Sequence, residues 1–355
     1  MKLGFGLYRH MLDEEHFRFA KQCGATHLVV HLVDYFGNQT KSRDGVNQPV
    51  GNNDGWGQTN TEGKIWSLDE LLKLKKEINK FGLELEAIEN FDPSMWYDVL
   101  LDGPKKHEQI ENLKQLIHNV GEAGIPTFGY NFSLAGVSSR TEGPYARGEA
   151  ISVGMDGIDQ RPIPNGMVWN MVYDANAPKG HLSKITHEEL WRRFRFFIEQ
   201  IIPVAEKAGV TMAAHPDDPP VPFVRETPRL VYQPHMYQKV ISYFDSPSNK
   251  LEFCLGTLAE MSEGDIYEIT DYYSKQEKIA YIHFRNIVGK APNYKEVFID
   301  EGDVDMLKII KILKQNKFEG VLIPDHTPLM SCSAPWHAGM AYAMGFMVAA
   351  LKNML

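Results

Sequence analysis

The sequence is poor in cysteine and has no long apolar run. Only three of its 355 residues are cysteines, Cys23, Cys254 and Cys332, which are too few and too scattered to form a disulfide framework. The sequence contains no run of about 18 apolar residues, so no membrane span is predicted. The first nine residues also lack the apolar segment of a signal peptide. We therefore expect a cytoplasmic protein without a membrane partner.

Positive charge is also in short supply. The chain has 37 Lys and Arg residues against 46 Asp and Glu residues, a formal net charge of −9. Because nucleic-acid binding depends largely on Lys and Arg contacts to phosphate, we expect no nucleic-acid partner. A small anionic ligand is compatible with this balance if its site carries its own cations. The oligomeric state stays open, a homo-oligomer included.

Short apolar runs alternate with amphipathic helical stretches, which is typical of a parallel sheet with crossover helices. Eight strands are predicted, at residues 3–8, 27–33, 83–89, 125–131, 210–215, 250–254, 279–285 and 320–325. Eight strands, each followed by a helix, close a (β/α)8 TIM barrel. The alternative is an open doubly wound sheet, but the early G-x-G-x-x-G turn that such a sheet predicts is absent. We expect one α/β domain over residues 1–355.

Helix-capping signals support the predicted helices. Asp13 and Gly24 are placed to cap the first helix, and Ser67 with Glu70 has the spacing of a capping box. Thr186 precedes another helical stretch in the same way. The predicted helices span residues 13–23, 67–82, 105–123, 186–208, 235–244, 264–274, 303–316 and 338–354.

Two segments interrupt the alternation. Residues 34–64 are rich in Gly, Asn and Asp, and residues 133–184 are rich in Gly and Pro. They follow strands 2 and 4, so both lie at the C-terminal face of the predicted barrel, where barrel enzymes hold their active sites. Loops of this length favour lids or binding walls over plain connections.

The last four predicted strands end in residues that bind metals, namely His215, Cys254, His283 and Asp325. Neighbouring strands lie roughly 4.8 Å apart, so side chains at equal depth can meet at one point. Two imidazoles, a thiolate and a carboxylate form a mixed metal site with positions left open for water or substrate. The thiolate favours Zn²⁺, while the carboxylate and an open octahedron favour Mn²⁺, Fe²⁺ or Mg²⁺.

With these residues the sequence resembles the mannonate dehydratase family of xylose-isomerase-like TIM barrels. The most specific match is Ala214-His-Pro-Asp-Asp-Pro-Pro220. Further matching pieces lie at residues 24–26, 64–67, 129–132, 202–206, 282–285, 302–306 and 324–326. The resemblance implies that His215, Cys254, His283 and Asp325 bind the metal, usually Mn²⁺. It also implies dehydration of an aldonic acid such as D-mannonate to a 2-keto-3-deoxy acid, 2-keto-3-deoxy-D-gluconate in that case.

The remaining predicted roles follow from this chemistry. His326, next to Asp325, is placed to act as general base, a role that the resemblance also implies. Arg285, two residues beyond His283, points to the same side of its strand and is predicted to hold the substrate carboxylate. Further substrate contacts are assigned to residues at the strand ends, namely Arg9, His31, Glu89 and Asn131.

The sequence departs from the family pattern in two places. Paired histidines follow strand 2 in the family, where this chain has Val33 and Asp34. A tyrosine thought to act as acid precedes the last helix of the family, where this chain has Ala334-Pro-Trp336-His337. His337 is therefore predicted to supply the proton and Trp336 to form a sugar-stacking wall. The metal half of the pattern matches better than the substrate half, which favours a divergent relative.

Three functions stay open from the sequence. The first is a metal-dependent dehydratase, a lyase that acts on a sugar acid or related polyol. The second is a sugar isomerase or epimerase, which shares the barrel and the metal but returns the proton it removes. The third, a carbohydrate-binding protein without catalysis, is disfavoured because a cation beside a candidate base serves chemistry better than passive binding.

Overall fold

A closed barrel of eight parallel strands forms the centre of the molecule. The computed structural model describes residues 1–36, 55–59 and 61–353, so residues 37–54 and 60 of the predicted first insertion lie outside the described part. The strands are β1 (Lys2–Leu7), β2 (His27–Val30), β3 (Glu84–Glu89), β4 (Thr127–Tyr130), β5 (Thr211–Ala214), β6 (Asn249–Cys254), β7 (Ile279–His283) and β8 (Val321–Ile323). Their order around the barrel is β1-β8-β7-β6-β5-β4-β3-β2. The predicted TIM barrel is confirmed.

Helices surround the barrel. They are α1 (Glu14–Gln22), α2 (Leu68–Asn79), α3 (Pro93–Leu101), α4 (Lys106–Glu122), α5 (His187–Ala208), α6 (Tyr237–Ser242), α7 (Leu255–Glu260), α8 (Ile266–Lys275), α9 (Met306–Gln315) and α10 (Pro335–Asn353). Short 3-10 turns occupy Arg9–Met11, Arg147–Glu149 and Pro234–Met236. Within the described residues, none of the helices combines the length and apolar character that a membrane span requires.

The predicted caps form as the sequence indicates. The Asp13 side chain accepts a hydrogen bond from the His16 amide, and Ser67 and Glu70 form a reciprocal capping box. The Thr186 hydroxyl accepts from the Glu189 amide at the start of α5. These bonds satisfy amides that the first helical turn leaves without a backbone partner, and so they set where each helix begins.

Helix α3 is absent from the sequence prediction. Its residues are buried on almost every side, from Pro93 to Leu100, so they show no alternation of apolar and polar positions with a helical period. The local signals that mark it are Pro93 in the first turn and Asp92, whose carboxylate accepts from the Ser94 amide.

An antiparallel sheet of four strands stands beside the barrel mouth and was also missed. Its strand order is Asn286–Lys290, Asn293–Val297, Ala150–Asp156 and Arg140–Ala146. It joins a hairpin that follows β7 to a hairpin from the predicted second insertion. We call it the accessory sheet. Two smaller hairpins pair Met167–Val168 with Met171–Val172 and Phe223–Val224 with Thr227–Pro228.

Candidate metal centre and active-site cavity

Side-chain alternation along the strands brings the predicted residues to the barrel mouth. Successive side chains of a strand point to opposite faces, so residues two apart share a face. Tyr281 lies in a buried cluster of residues from several barrel strands, and His283 follows it on the same face. Five further strands follow the same rule, because a buried, inward-pointing residue stands two positions before a polar residue at the strand end. The pairs are Val29 and His31, Ala87 and Glu89, Gly129 and Asn131, Ala213 and His215, and Ile323 and Asp325.

Three of the four predicted metal ligands form one cluster. Ligand atoms of His215, Cys254 and His283 all lie within 4.8 Å of one another. Asp325 approaches this cluster from β8, where its Oδ2 lies 3.6 Å from Nδ1 of His283. All four side chains are buried or nearly so, at the depth where strands β5 to β8 end.

Hydrogen bonds orient the two imidazole rings toward the centre of this cluster. Nδ1 of His215 lies 2.6 Å from the Pro216 carbonyl, which can only accept, so Nε2 is left to face the cluster. Nε2 of His283 lies 3.0 Å from Glu252 and 3.1 Å from Glu89. Nδ1 of His283 is buried and has no hydrogen-bond partner among the described residues. A metal ion would satisfy this atom, and carboxylates behind a histidine ligand are typical of metal sites.

The surroundings of Cys254 favour the thiolate. Burial by itself would raise the pKa of the thiol, but the Arg285 guanidinium and contacts to His215 and His283 bring it well below the ordinary value of 9.0. Nη2 of Arg285 lies 3.5 Å from Sγ, and the Thr257 hydroxyl donates to Sγ at 3.2 Å. The thiolate is the form of cysteine that binds metals.

The charges around the cluster suit a bound cation. Burial works against a charged His215, but the nearby Glu252 charge and the Cys254 sulfur raise the pKa of His215 to about 9. Burial likewise disfavours a charged Asp325, yet His326 and His283 hold its pKa well below 3.8. Without metal, protons on the rings balance the anionic groups, and a divalent cation would replace those protons.

A cavity opens above this cluster and encloses about 520 Å³ of empty space, including space open to solvent. One wall is aromatic and comes from Tyr8, Tyr35, Trp56 and Trp169, with the Tyr35 and Trp169 rings stacked at 5.7 Å between centroids. The polar wall consists of His31, Glu89, Asn90, Asn131, Arg140, His215, Asp218, His283, Asp325 and His326. A polar wall opposite an aromatic wall is typical of pockets that bind small molecules.

The comparisons with known proteins agree with this geometry. A sequence model described as D-mannonate dehydratase (UxuA) matches residues 35–348. The mannonate dehydratase of Streptococcus equi subsp. zooepidemicus is 32% identical over 277 residues, which cover 74% of this chain and 75% of that protein. The chain belongs to the mannonate dehydratase family. Membership of this family confirms the prediction of an enzyme of the hydro-lyase class.

Solved structures extend the likeness over the whole chain. The crystal structure of mannonate dehydratase from Streptococcus suis serotype 2 is 27% identical, with a TM-score of 0.74, and the match covers 100% of this chain and 94% of that one. A D-tagatose 3-epimerase-like protein is 10% identical, with a TM-score of 0.59, and covers 99% and 98% of the two chains. The second match shows the fold alone.

Several residues assigned from the sequence line the cavity of this mannonate dehydratase family member. His31, Glu89, Asn131 and His326 are among them. The His31 ring stacks on Tyr8 at 4.8 Å, and the Asn131 amide donates to the Pro216 carbonyl at 3.2 Å. Their predicted contacts with substrate stay predictions.

Four residues that were assigned to substrate binding or proton transfer do not line this cavity. Arg9 donates to the Leu32 carbonyl at 3.2 Å. Trp336 and His337 lie at the start of α10 and pack against Phe19 of α1, with ring centroids 5.8 and 4.7 Å away. Arg285 completes the four. The packing of α10 on α1 argues against a sugar-stacking role for Trp336 and a proton-donating role for His337.

Arg285 lies behind the metal cluster because the chain leaves the barrel directly after His283. Its side chain is 1% exposed, and its donors face the carboxylates of Glu296, Glu260 and Asp218 at 2.8, 3.2 and 3.4 Å. The predicted alternation would have placed Arg285 in the mouth if β7 had continued for two more residues. This arrangement argues against direct contact between Arg285 and the substrate carboxylate.

The cavity also contains residues that the sequence analysis did not assign. Trp56, Arg140 and Trp169 come from the two long insertions. These insertions were predicted to form lids or binding walls, but no individual residue in them was assigned a role. Aromatic and cationic side chains inside Gly-rich loops were the available signal. Tyr8, the last residue of the first predicted strand, lines the cavity, whereas the substrate contact was predicted for Arg9, the residue after it.

Proposed function

We propose that this protein is a metal-dependent dehydratase of a sugar acid, which converts D-mannonate or a related aldonate to its 2-keto-3-deoxy product. The observation that carries the proposal is the cluster of His215, Cys254 and His283 directly beneath a cavity that His215, His283, Asp325 and His326 line. Family membership supports the same reaction.

His215, Cys254, His283 and Asp325 would hold the metal. A divalent ion held there, Mn²⁺, Fe²⁺, Mg²⁺ or Zn²⁺, would supply a Lewis acid that stabilises negative charge on the substrate. The donor set contains one thiolate, two imidazoles and one carboxylate, which is compatible with each of these ions, and Mn²⁺ is our first choice from the family resemblance. Glu252 and Glu89 hold the His283 ring in position from below.

His326 is the proposed general base. Its Nε2 lies 3.1 Å from Oδ2 of Asp325, so the base stands beside the residues that would hold the metal. Nε2 would take up the α-proton of the substrate and return a proton to the β-hydroxyl, which leaves as water. The electron pair of the broken C–H bond forms the double bond of an enol that becomes the 2-keto-3-deoxy acid. Positioned proton transfer of this kind contributes about 10²- to 10⁴-fold to a rate.

Arg140 is the proposed partner of the substrate carboxylate. Among the described residues that line the cavity it is the one Lys or Arg, and three acids, Glu89, Asp218 and Asp325, share that lining. Arg140 donates to Asp218 at 2.8 Å, which holds its guanidinium at the wall. The substrate carboxylate would add a further negative charge to this acidic cavity. Arg140 supplies a fixed positive charge, besides the metal, to pair with it.

The direct test is to incubate the metal-loaded protein with a panel of aldonic acids and to assay 2-keto-3-deoxy products. We expect turnover of at least one aldonate and a loss of about 10²-fold or more in His326→Gln. Absence of product across the panel, with metal bound, would contradict the proposal. Solvent deuterium in a substrate that keeps all its hydroxyls would instead indicate the isomerase or epimerase alternative.

The Arg140 assignment has its own test. A charge-assisted hydrogen bond contributes about 1.5–3 kcal/mol, so Arg140→Met should lower kcat/KM for the aldonate roughly 10- to 100-fold. Arg147→Met is the matched control, because Arg147 lies in the turn beside the same strand and pairs with Asp300 on the surface. Equal kcat/KM values for the two variants would exclude Arg140 as the carboxylate partner.

A further inference from the structure

Glu296 lies on the accessory sheet, outside the barrel, yet its carboxylate reaches the candidate base. Its side chain is 3% exposed, and Oε2 lies 2.7 Å from Nδ1 of His326. The other oxygen, Oε1, lies 2.8 Å from Nη1 of Arg285. The Ser152 hydroxyl donates to the Glu296 carbonyl at 2.6 Å and ties its strand to the next one. The accessory sheet therefore presents one fixed carboxylate to His326.

Two neighbours of His326 select the same tautomer. Burial opposes ionisation of Glu296, but the charges of His326 and Arg285 lower its pKa, so the group is a carboxylate that can only accept. Nδ1 of His326 must therefore carry a proton. On the other side of the ring, Nη1 of Arg285 lies 3.2 Å from Nε2, and a guanidinium can only donate. The neutral ring is held with its lone pair on Nε2.

The same nitrogen lies beside the candidate metal centre. Oδ2 of Asp325 is 3.1 Å from Nε2 of His326. Nδ1 of the ring therefore faces Glu296 on the accessory sheet, and Nε2 faces the residues that would hold the metal.

We propose that Glu296 is a positioning residue, which holds His326 in the Nδ1–H tautomer with the basic Nε2 directed at the substrate. This inference rests on the proposed function, in which His326 removes the α-proton. Carboxylates oriented in this way keep an imidazole base in its productive tautomer, and their replacement by an amide costs up to about 10⁴-fold in rate in the best-studied enzymes. The accessory sheet, inserted in the barrel from two separate segments, thereby takes part in catalysis.

The decisive variant is Glu296→Gln, because its amide can donate to Nδ1 and so permits the other tautomer. We expect kcat to fall by about 10²- to 10⁴-fold while KM and the bound metal stay within about threefold of the parent values. Glu296→Asp keeps the charge and should recover at least part of kcat. Lys295→Gln, an exposed neighbour on the same strand, is the control and should match the parent.

A readout without turnover separates this inference from the proposed function. In protein labelled with ¹⁵N-histidine and loaded with Zn²⁺, the ring nitrogens of His326 are assigned from the signals missing in His326→Gln. At a pH where a free imidazole is neutral, we expect Nδ1–H in the parent and loss of that signal pattern in Glu296→Gln. An unchanged His326 tautomer in Glu296→Gln would overturn the assignment. So would a decrease in kcat that is accompanied by an equally large loss of bound metal and an equally large increase in KM. If the parent lacks dehydratase activity, the tautomer result still stands or falls by itself.

Discussion

Replacement of Arg285 by methionine tests how the buried charges behind the metal cluster are balanced. The guanidinium faces Glu296, Glu260, Asp218 and Asp325, all within 3.5 Å. Burial, together with the Asp218 charge, raises the pKa of Glu260 well above 4.5. The raised pKa favours the neutral form of Glu260, so removal of the cation costs this group the least electrostatic stabilisation. The other carboxylates would lose their shared cation without gaining water. We expect Arg285→Met to be strongly destabilising in the metal-free protein.

The magnitude follows from the cost of a buried charge that has lost its partner. Removal of one member of a buried ion pair typically costs about 3–5 kcal/mol. For 355 residues, an unfolding entropy of about 2.1 cal/mol/K per residue amounts to about 0.75 kcal/mol/K. The melting temperature should therefore fall by roughly 4–7 °C.

The assay is thermal unfolding followed by circular dichroism in metal-free buffer, because bound metal would add its own stabilisation. Arg192→Met is the matched control. The Arg192 side chain is 54% exposed and pairs with Glu189 on the surface, where an ion pair contributes about 0–1 kcal/mol. A shift for Arg285→Met no larger than the shift for Arg192→Met would refute the view that Arg285 neutralises this buried cluster.

Two further substitutions test the metal centre and the barrel interior. Cys254→Ala should weaken divalent-metal binding, measured by calorimetry, by more than the roughly 10- to 100-fold typical of outer-shell changes. Cys332→Ala, at an exposed position, is the control and should bind metal as the parent does. Equal metal affinities of the two variants would remove Cys254 from the ligand set. Gly129→Ala would place a methyl group against the Tyr281 hydroxyl and should cost about 1–3 kcal/mol in unfolding free energy. Gly345→Ala, with open space around its helix position, should be stabilising by about 0.5–1 kcal/mol, and the reverse order in thermal unfolding would contradict this packing.

The strand-end residues were predictable because they depend on two regular features, the common direction of parallel strands and the alternation of side chains along each strand. Parallel strands place their C-terminal ends at one face, and alternation then decides which side chains point inward. His215, Cys254 and His283 could therefore be grouped without coordinates, and the structure brings them together. Arg285 shows where the rule ends, because it holds only while the chain stays in the strand.

The accessory sheet was not predictable in the same way. Its strand pairing joins Tyr294 to Met155, residues that lie far apart in the sequence. Each hairpin is short and carries polar or glycine residues, so neither shows the apolar alternation of a half-buried strand. Residues 133–184 were therefore predicted to be a loop, and no role was predicted for Glu296.

Local periodicity and residues a few positions apart are sufficient to predict the eight-stranded barrel, its principal helix caps and the kinds of metal-binding group at the strand ends. Coordinates were needed to show that Arg285 lies behind Cys254, that Arg140 enters the cavity and that Glu296 meets His326. Those placements result from pairing between distant segments and from the charge balance of buried groups, which no local pattern in the chain records.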